Sequence, residues 1–422
     1  MRTHLTNSLD VLTPAPPREG RELPALDTLR AIGALCVLTT HAAFWSGDYL
    51  RNGVWGNVLA RLDVGVAIFF VLSGFLLSRP WLLSRVRGRP APSASTYLWK
   101  RAWRILPLYV VTVVLALSLI EQAPGFSFGG WVSTLLMLDT LTGTSFPAGL
   151  THMWTIAVEV SFYLVLPLLM PLLLGRGTAL RPARLVAGLG ALSAISVWWH
   201  LQGGRLAGDL GAGAPLQLLP GFLTWFALGI GLALAHVVLH ENTAGTGEST
   251  PASGGRTLTA LGSLARQPGS CWVLAVGLML AAATPVAGAS MFGAPTPGQS
   301  LSKHLIYASV AVLLVLPAVL GDPEGRYVQA LSWRPLRRLG WISFGIFCLH
   351  LPLLHLLMWT TGWTLFEGRG PQIWAITIVL SVLVAELAYR LVERPALRVG
   401  HATRPGRRAP ASSSATTGTT QT

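Results

Sequence analysis

The stretch DVGVAIFFVLSGFLLSRPWLL, residues 63–83, decides the fold class of this chain. Asp63 and Arg79 are its only charged residues, and a predominantly apolar run of about 17–25 residues is long enough to cross a bilayer as a helix. Nine further segments have the same character. We therefore predict an all-α, polytopic transmembrane helix bundle with about ten spans. The predicted spans are residues 27–46, 63–83, 105–121, 153–174, 184–200, 216–238, 270–287, 303–320, 340–361 and 370–391.

The overall composition excludes a soluble globular protein. Of the 422 residues, 52% are hydrophobic and only 11% are charged, and the mean hydropathy is +0.55. Soluble domains carry roughly 25% charged residues, because their surfaces need polar cover. A bilayer removes that need, since lipid rather than water surrounds the outer face of the protein. The composition therefore agrees with the predicted spans.

The positive charge of the chain predicts its orientation in the membrane. A net charge of +14 would suit a nucleic-acid-binding protein, but the basic residues concentrate in alternate loops between the apolar segments. With the N-terminus in the cytoplasm, all but five Lys and Arg lie on or near the cytoplasmic side, as the positive-inside rule requires. We predict that both termini are cytoplasmic and that the protein is a multi-pass protein of the plasma membrane. The five exceptions are Arg51, Arg61, Arg205, Lys303 and Arg369.

The composition of the chain divides it into a membrane domain, two terminal segments and two segments within the membrane domain that are predicted to be irregular. Residues 1–24 carry acidic residues and prolines before any apolar run, so we predict a disordered cytoplasmic N-terminus without a cleaved signal peptide. Residues 25–396 form the predicted membrane domain. The Gly/Ser/Thr-rich residues 241–268 predict a flexible cytoplasmic insert, and residues 122–151 an interfacial or re-entrant loop. Residues 397–422 predict a disordered, basic tail rich in Ala, Ser and Thr.

The first predicted span contains LDTLRAIGALCVLTTHAAFW, residues 26–45, with ionisable side chains that are expensive inside a membrane. Arg30 and His41 are 11 residues apart, which corresponds to three helical turns plus about 20°, so both side chains lie on one face of the helix. Along the helix axis they are about 16 Å apart. Asp27 precedes Arg30 by three residues and can pair with it. Imidazole is well suited to proton transfer near neutral pH, so His41 is a candidate general base. The alternative is a packing histidine bonded to a carbonyl group.

Two arginines lie just before the third predicted span in YLWKRAWRILPLY, residues 97–109. Arg101 and Arg104 are three residues apart, so they share one helical face and are predicted to point towards the cytosol. Paired guanidinium groups suit phosphate groups, because they offer bidentate donors and a fixed charge. The alternative is a purely topological role, since any cytoplasmic loop is rich in arginine.

The later spans hold further ionisable residues. In THMWTIAVEVSFYLVLPLL, residues 151–169, His152 and Glu159 are about two turns apart and are predicted to share a face. The Glu159 carboxylate could orient an imidazole or bind an acceptor hydroxyl, or it could be half of a structural ion pair. LGWISFGIFCLHLPLLHLL, residues 339–357, places His350 in the ninth span. Near the end of the last span, Glu393 is interpreted as a helix-end anchor.

Taken together, these motifs resemble the acyltransferase-3 family of bacterial membrane O-acyltransferases over roughly residues 25–396. Six features in the same order carry the resemblance. They are the Arg-x10-His spacing of residues 30–41, FFVLSGFLLS at 69–78, KRAWRILPLY at 100–109, HMWTIAVEVSFYL at 152–164, LGWISFGIFCLH at 339–350 and YRLVERP at 389–395. The EVSFY variant at 159–163 resembles members that acylate secondary metabolites, including macrolides.

The resemblance implies transfer of an acyl group from cytoplasmic acyl-CoA, expected to be acetyl-CoA, to a hydroxyl of a carbohydrate or secondary metabolite. It implies His41, Arg30 and Glu159 as catalytic residues, with His41 acting as general base or becoming transiently acylated. It implies a substrate-binding set, placed on the same motifs, made up of Asp27, Ser73, Arg101, Arg104, His152, Trp154 and His350.

No permanently bound cofactor and no metal ion are predicted. The three cysteines lie in apolar runs, and no Cys or His spacing is typical of a zinc site or a disulfide framework. The expected partners are acyl-CoA, a hydroxyl-bearing acceptor and the lipid bilayer, without nucleic acid.

The sequence is also compatible with two other classes of protein. Ten spans with buried His, Glu and Arg would also suit a proton-coupled transporter or a lipid flippase, although such carriers often show two related halves and none are visible here. A structural protein with a dead site is the second alternative, and the combination of Asp27, Arg30 and His41 argues against it.

Overall fold

The structure is a computed structural model, which describes residues 23–120, 127–142, 146–177, 179–209, 215–245, 255–290 and 293–405. Within these residues every regular element is helical and none is a strand, so the predicted all-α class is confirmed. Residues 1–22 of the predicted disordered N-terminus and residues 406–422 of the predicted tail lie outside the described residues.

The described residues form 18 α-helices, joined by short connections and 3₁₀ turns. In chain order they are α1 (Ala25–Ser46), α2 (Asp48–Arg51), α3 (Gly53–Ala60), α4 (Gly65–Val86), α5 (Ala94–Leu119), α6 (Phe128–Leu135), α7 (Asp139–Thr142), α8 (Trp154–Leu174), α9 (Pro182–Asp209), α10 (Leu223–Gly245), α11 (Gly255–Ala265), α12 (Pro268–Ala282), α13 (Pro297–Leu320), α14 (Arg326–Leu331), α15 (Arg334–Trp341), α16 (Ser343–Thr361), α17 (Gly370–Ala388) and α18 (Arg394–Ala402). A π-helical turn, Tyr389–Glu393, connects α17 to α18.

Eight helical stretches among the described residues are long and apolar enough to cross a membrane, which confirms a polytopic helix bundle. They are Gly53–Val86, Ala94–Leu119, Thr151–Leu174, Pro182–Gly203, Leu219–His240, Pro297–Leu320, Ser343–Thr361 and Gly370–Ala402. Two predicted spans are not among them. Helix α1 has 22 residues but contains Asp27, Arg30 and His41, and the apolar helix α12 has only 15 residues. The count of ten and the cytoplasmic placement of both termini stay predictions.

The segments predicted to be irregular contain short helices. Helices α6 and α7 lie in the predicted loop 122–151, and neither is long enough to span a bilayer. Helix α11 lies within the predicted insert 241–268. Helix α18 continues to Ala402, so the described chain stays helical beyond residue 397, where we predicted the start of the disordered tail.

Helix ends coincide with residues that satisfy free backbone groups. Ser93 caps α5 by accepting a hydrogen bond from the backbone N–H of Thr96. Thr296 and Gln299 form a reciprocal capping box at the start of α13. Gly47 follows the last residue of α1, and its φ of +79° is accessible to glycine at little cost.

Close helix contacts hold the centre of the bundle together. Helix α1 packs against α4, α15, α16 and α17, and α4 packs against α10. A Cβ atom at Gly74 of α4 would lie 2.3 Å from the carbonyl oxygen of Phe226, and one at Gly229 of α10 would lie 2.1 Å from that of Val71. Only glycine permits this approach, as is common where membrane helices pack through small residues.

Replacing Gly229 with alanine is expected to force α4 and α10 apart and to destabilise the protein by about 1–3 kcal/mol. Thermal unfolding in detergent measures the effect. Gly231→Ala is the matched control on the same helix, because a Cβ there would approach only Leu189 Cδ1 at an ordinary 3.7 Å. Equal melting temperatures for the two variants would contradict this packing.

Four of the five exceptions to the positive-inside pattern are bound by protein groups. Arg61 is 3% exposed and donates to the carbonyl oxygens of Ala282 and Gly288. Lys303 forms an ion pair with Asp63, with 2.6 Å between Nζ and Oδ2. In addition, Arg51 donates to the carbonyl oxygen of Phe366, and Arg369 lies over the ring of Trp363. These cations therefore have structural partners.

Candidate active site

A cavity of about 240 Å³ lies among α1, α4, α5, α8 and α16, at the end of the bundle where α1 and α5 begin. Apolar and aromatic residues form much of its wall. Its charged side chains are Arg30, Arg101, Arg104 and Glu159, and its hydroxyl-bearing side chains are Ser73, Thr155, Tyr163 and Ser343. We call it the arginine cavity. The predicted helical face of Arg101 and Arg104 is thus confirmed, but both line this cavity within the bundle instead of pointing only to open solvent.

The three arginines of the cavity differ in their partners. Arg30 lies 3.6 Å from Asp27, which confirms the predicted pair, and Asp27 also contacts Arg337. Arg104 Nη1 lies 2.8 Å from Oε2 of Glu393. Arg101 forms no ion pair with any described residue, and its buried Nε has no hydrogen-bond partner there. Arg101 is therefore the arginine with the greatest unused capacity to bind an anion.

Glu159 places a carboxylate in the wall of the arginine cavity. Ser73 Oγ and Tyr163 Oη each donate a hydrogen bond of 2.6 Å to its Oε1. Among the described residues, Oε2 accepts no hydrogen bond, and Glu159 bonds to no histidine. In this structure Glu159 therefore contacts no imidazole, and its catalytic role stays a prediction. Its carboxylate faces the arginine cavity instead.

Three histidines meet beyond the inner wall of the arginine cavity. His41 of α1 stacks on His350 of α16, with ring centroids 5.1 Å apart. His152, from the 3₁₀ turn before α8, lies 4.7 Å from His350 and 6.1 Å from His41, centroid to centroid. We call these residues the histidine cluster. No group of His, Cys, Asp and Glu within the described ranges is arranged to hold a metal ion.

Hydrogen bonds assign the tautomers of two of these rings. His350 Nδ1 lies 2.7 Å from the carbonyl oxygen of Phe347, which can only accept, so Nδ1 carries the proton. In a neutral ring, His350 Nε2 then accepts the hydrogen bond from His41 Nδ1, 2.9 Å away. This leaves the lone pair of His41 on Nε2. A histidine in this state can act as a general base.

The aromatic ring of Phe347 separates the arginine cavity from the histidine cluster. Phe347 lines the cavity and is 6% exposed. Its centroid lies 5.2 Å from that of His152, 6.0 Å from that of His350 and 5.7 Å from that of Phe69. A group that reaches the inner end of the cavity is therefore separated from the histidine cluster by one aromatic ring.

The structure brings most of the predicted site residues together, but not all. The residues that line the arginine cavity are Arg30, Ser73, Arg101, Arg104 and Glu159, and those in the histidine cluster are His41, His152 and His350. Asp27 does not line the cavity but contacts Arg30, which does. Trp154 does not reach the cavity, because its ring stacks on Phe222 with centroids 5.2 Å apart.

Sequence reasoning missed three residues of the site. Tyr163 follows Glu159 by four residues, and that spacing could have indicated the hydrogen bond between them. Glu393, interpreted as a helix-end anchor, is 2% exposed and is placed against Arg104 by the π-helical turn. Phe347 carried no signal that distinguishes it from other apolar residues of α16.

Fold and site together define a polytopic membrane protein with an internal, positively charged cavity next to a histidine cluster. The acyltransferase-3 family model, described as an acyltransferase domain, matches residues 23–390. The chain therefore belongs to the acyltransferase-3 family, a family of membrane O-acyltransferases.

Curated relatives agree with this assignment. The chain is 26% identical to a putative peptidoglycan O-acetyltransferase of Bacillus subtilis, covering 89% of this chain and 55% of that protein. It is 24% identical to a peptidoglycan O-acetyltransferase of Listeria monocytogenes, covering 90% and 56%. Nodulation protein 10 of Rhizobium leguminosarum is 28% identical, covering 88% and 93%. The chain spans about half the length of the first two relatives, and no solved structure matches it significantly.

Proposed function

We propose that this chain transfers an acyl group, most simply acetyl, from acyl-CoA to a hydroxyl group of a carbohydrate or secondary metabolite at the plasma membrane. One observation carries the proposal. The arginine cavity, which can bind a polyphosphorylated donor, ends at Phe347, and the ring of Phe347 contacts the histidine cluster directly. Donor binding and proton transfer are thereby brought together in one bundle.

The donor fits the charge of the arginine cavity. Acyl-CoA carries phosphate groups at one end and a thioester at the other, and guanidinium groups bind phosphate with charge-assisted, bidentate hydrogen bonds. Arg101, which lacks an ion pair, is the principal phosphate ligand in this proposal, with Arg104 and Arg30 beside it. The apolar inner wall receives the pantetheine arm and the acyl group, so the thioester points towards Phe347.

The reaction requires only one proton carrier near the thioester. His41 Nε2 accepts the proton of the acceptor hydroxyl, and the hydroxyl oxygen attacks the thioester carbon at the same time. The new C–O bond forms as the C–S bond breaks, and the proton passes to the departing CoA thiolate. His350 accepts the hydrogen bond from His41 Nδ1 and so holds the base in the required tautomer.

The acceptor class rests on the relatives. Two of them are described as peptidoglycan O-acetyltransferases, so a glycan hydroxyl is the first acceptor to test. The EVSFY sequence at residues 159–163 makes a macrolide-type metabolite the second. Glu159 can accept a hydrogen bond from a hydroxyl group through its free Oε2.

The proposed function is tested with purified protein in proteoliposomes, supplied with radiolabelled acetyl-CoA and either peptidoglycan fragments or a macrolide. We expect label to appear in an O-ester of one acceptor, released by mild base. Movement of the acceptor across the membrane without acetyl-CoA, together with no ester formation, would instead support a transporter.

His350 offers a separate prediction as a positioning residue. His350→Leu removes the acceptor for His41 Nδ1–H and is expected to lower kcat roughly 100-fold, with KM for acetyl-CoA unchanged. His350→Gln keeps a hydrogen-bond acceptor and should restore part of the rate. Measured kcat and its pH dependence check both variants, and equal loss in the two would contradict a tautomer-holding role.

A further inference from the structure

A second cavity of about 200 Å³ adjoins the arginine cavity. The two cavities share part of their walls, namely Leu76, Leu77 and Arg101. The second cavity lies beside the first turns of α5. Its polar side chains are Ser93, Thr96, Tyr97, Lys100, Arg101 and Arg404. Three cationic residues thus surround a space that continues directly from the proposed donor site.

Two buried polar atoms of residues that line this space lack a hydrogen-bond partner among the described residues. Tyr97 is only 9% exposed, yet its buried hydroxyl has no hydrogen-bond partner in the described chain. The buried Nε of Arg101 has none either. Such groups are costly when they stay unsatisfied, and each is a donor that could bind an oxygen of a phosphate group.

The segment after the last long helix supplies Arg404 to the second cavity. Helix α18 packs along α5, where Trp99 Nε1 donates a 3.0 Å hydrogen bond to the carbonyl oxygen of Gly400. Gly400 permits the contact, because a Cβ atom there would lie 2.6 Å from Cγ of Trp103. Helix α18 therefore has a defined position on α5, and Arg404 lies two residues beyond its last residue, Ala402.

We propose that the second cavity binds the phosphorylated nucleotide end of the donor, with Arg404 and Lys100 as phosphate ligands and Tyr97 as a hydrogen-bond donor. This inference rests on the proposed function. Along α5, the two cavities together extend from Ser93 to Ile105. These 12 residues correspond to a length of about 18 Å in a helix. A long donor can thus bind with its phosphates near Arg404 and Arg101 and its thioester near Phe347.

If the second cavity binds the nucleotide, the protein will discriminate between CoA thioesters and shorter donors that carry the same acyl group. Acetyl-pantetheine lacks the nucleotide and cannot use Arg404. Acetyl-3′-dephospho-CoA keeps the nucleotide but lacks one phosphate group. We therefore expect KM to rise from acetyl-CoA to acetyl-3′-dephospho-CoA and again to acetyl-pantetheine.

The test compares KM for these three thioesters in the full-length protein and its variants. Arg404→Gln is expected to raise KM for acetyl-CoA about tenfold and to leave KM for acetyl-pantetheine unchanged. Tyr97→Phe should act in the same direction with a smaller effect. Arg398→Gln is the matched control, because Arg398 is an exposed residue of the same segment that does not line the cavity.

Two results would overturn the inference. One is an unchanged ratio of the KM values in Arg404→Gln, and the other is an equal rise for all three donors, which would indicate a structural role for Arg404. Failure of the proposed function looks different, because the wild-type protein would then transfer acetyl from none of the three thioesters.

Discussion

His41→Ala is expected to lower kcat for acyl transfer by about 10²–10⁴-fold, the usual contribution of a general base. The reason is geometric. His41 donates through Nδ1 to His350, so only its Nε2 can take the proton of an acceptor hydroxyl. Transfer of labelled acetyl in proteoliposomes measures the loss, at equal amounts of folded protein.

His41→Gln provides the sharper comparison. Its amide can still donate to His350, so the helix contact between α1 and α16 is kept, but an amide cannot accept a proton near neutral pH. We expect His41→Gln to fold like the wild-type protein and to be as inactive as His41→Ala. Near-normal turnover in either variant would refute the role of His41 as base.

Arg101→Gln is expected to raise KM for acetyl-CoA by about 10- to 100-fold, because the loss of one charge-assisted hydrogen bond costs about 1.5–3 kcal/mol. Arg101 has no ion pair among the described residues, so the substitution leaves no acidic side chain without its partner. The effect should therefore appear in donor binding and not in protein abundance. Arg334→Gln, an exposed arginine of α15, is the control for loss of charge alone.

Arg104 needs a different design. Removing it alone would leave Glu393, 2% exposed, as a buried carboxylate without its partner, at a cost of about 3–5 kcal/mol. The double variant Arg104→Gln/Glu393→Gln removes both charges together. It should recover the folded protein lost in Arg104→Ala, while KM for acetyl-CoA remains raised. An unchanged KM in the double variant and in Arg101→Gln would make both arginines topological residues.

The parts of the site that could be predicted from the sequence follow from helical periodicity. Asp27 and Arg30 pair within one turn of α1, and Arg101 and Arg104 share a face of α5. Arg30 and His41, 11 residues apart, also lie on the same helix, α1. Such relations need no knowledge of which helices are neighbours.

The rest of the site depends on contacts between helices that are distant in the chain. Glu393 reaches Arg104 across 289 residues, and His350 reaches His41 across 309. Neither spacing nor composition encodes these pairs. The place of Trp154 could not be predicted for a related reason, since a short motif does not show that its ring stacks on Phe222 instead of lining the cavity.

The surroundings of Glu159 also could not be predicted from spacing, although His152 is only seven residues away. Its spacing from His152 predicted a shared face, yet the 3₁₀ turn that holds His152 and the ring of Phe347 separate their surroundings. The carboxylate belongs with Ser73 and Tyr163 instead.

The aromatic ring between the arginine cavity and the histidine cluster also has an electrical consequence. Titratable histidines midway through a bundle could pass protons down the membrane potential, a driving force of about 2.3 kcal/mol per charge for each 100 mV. While no acceptor is bound, the apolar rings of Phe347 and Phe69 lie between the arginine cavity and the histidine cluster. We therefore expect proton exchange between the cavity and these histidines to require a bound acceptor hydroxyl, which keeps proton leakage along the membrane potential low in the resting protein.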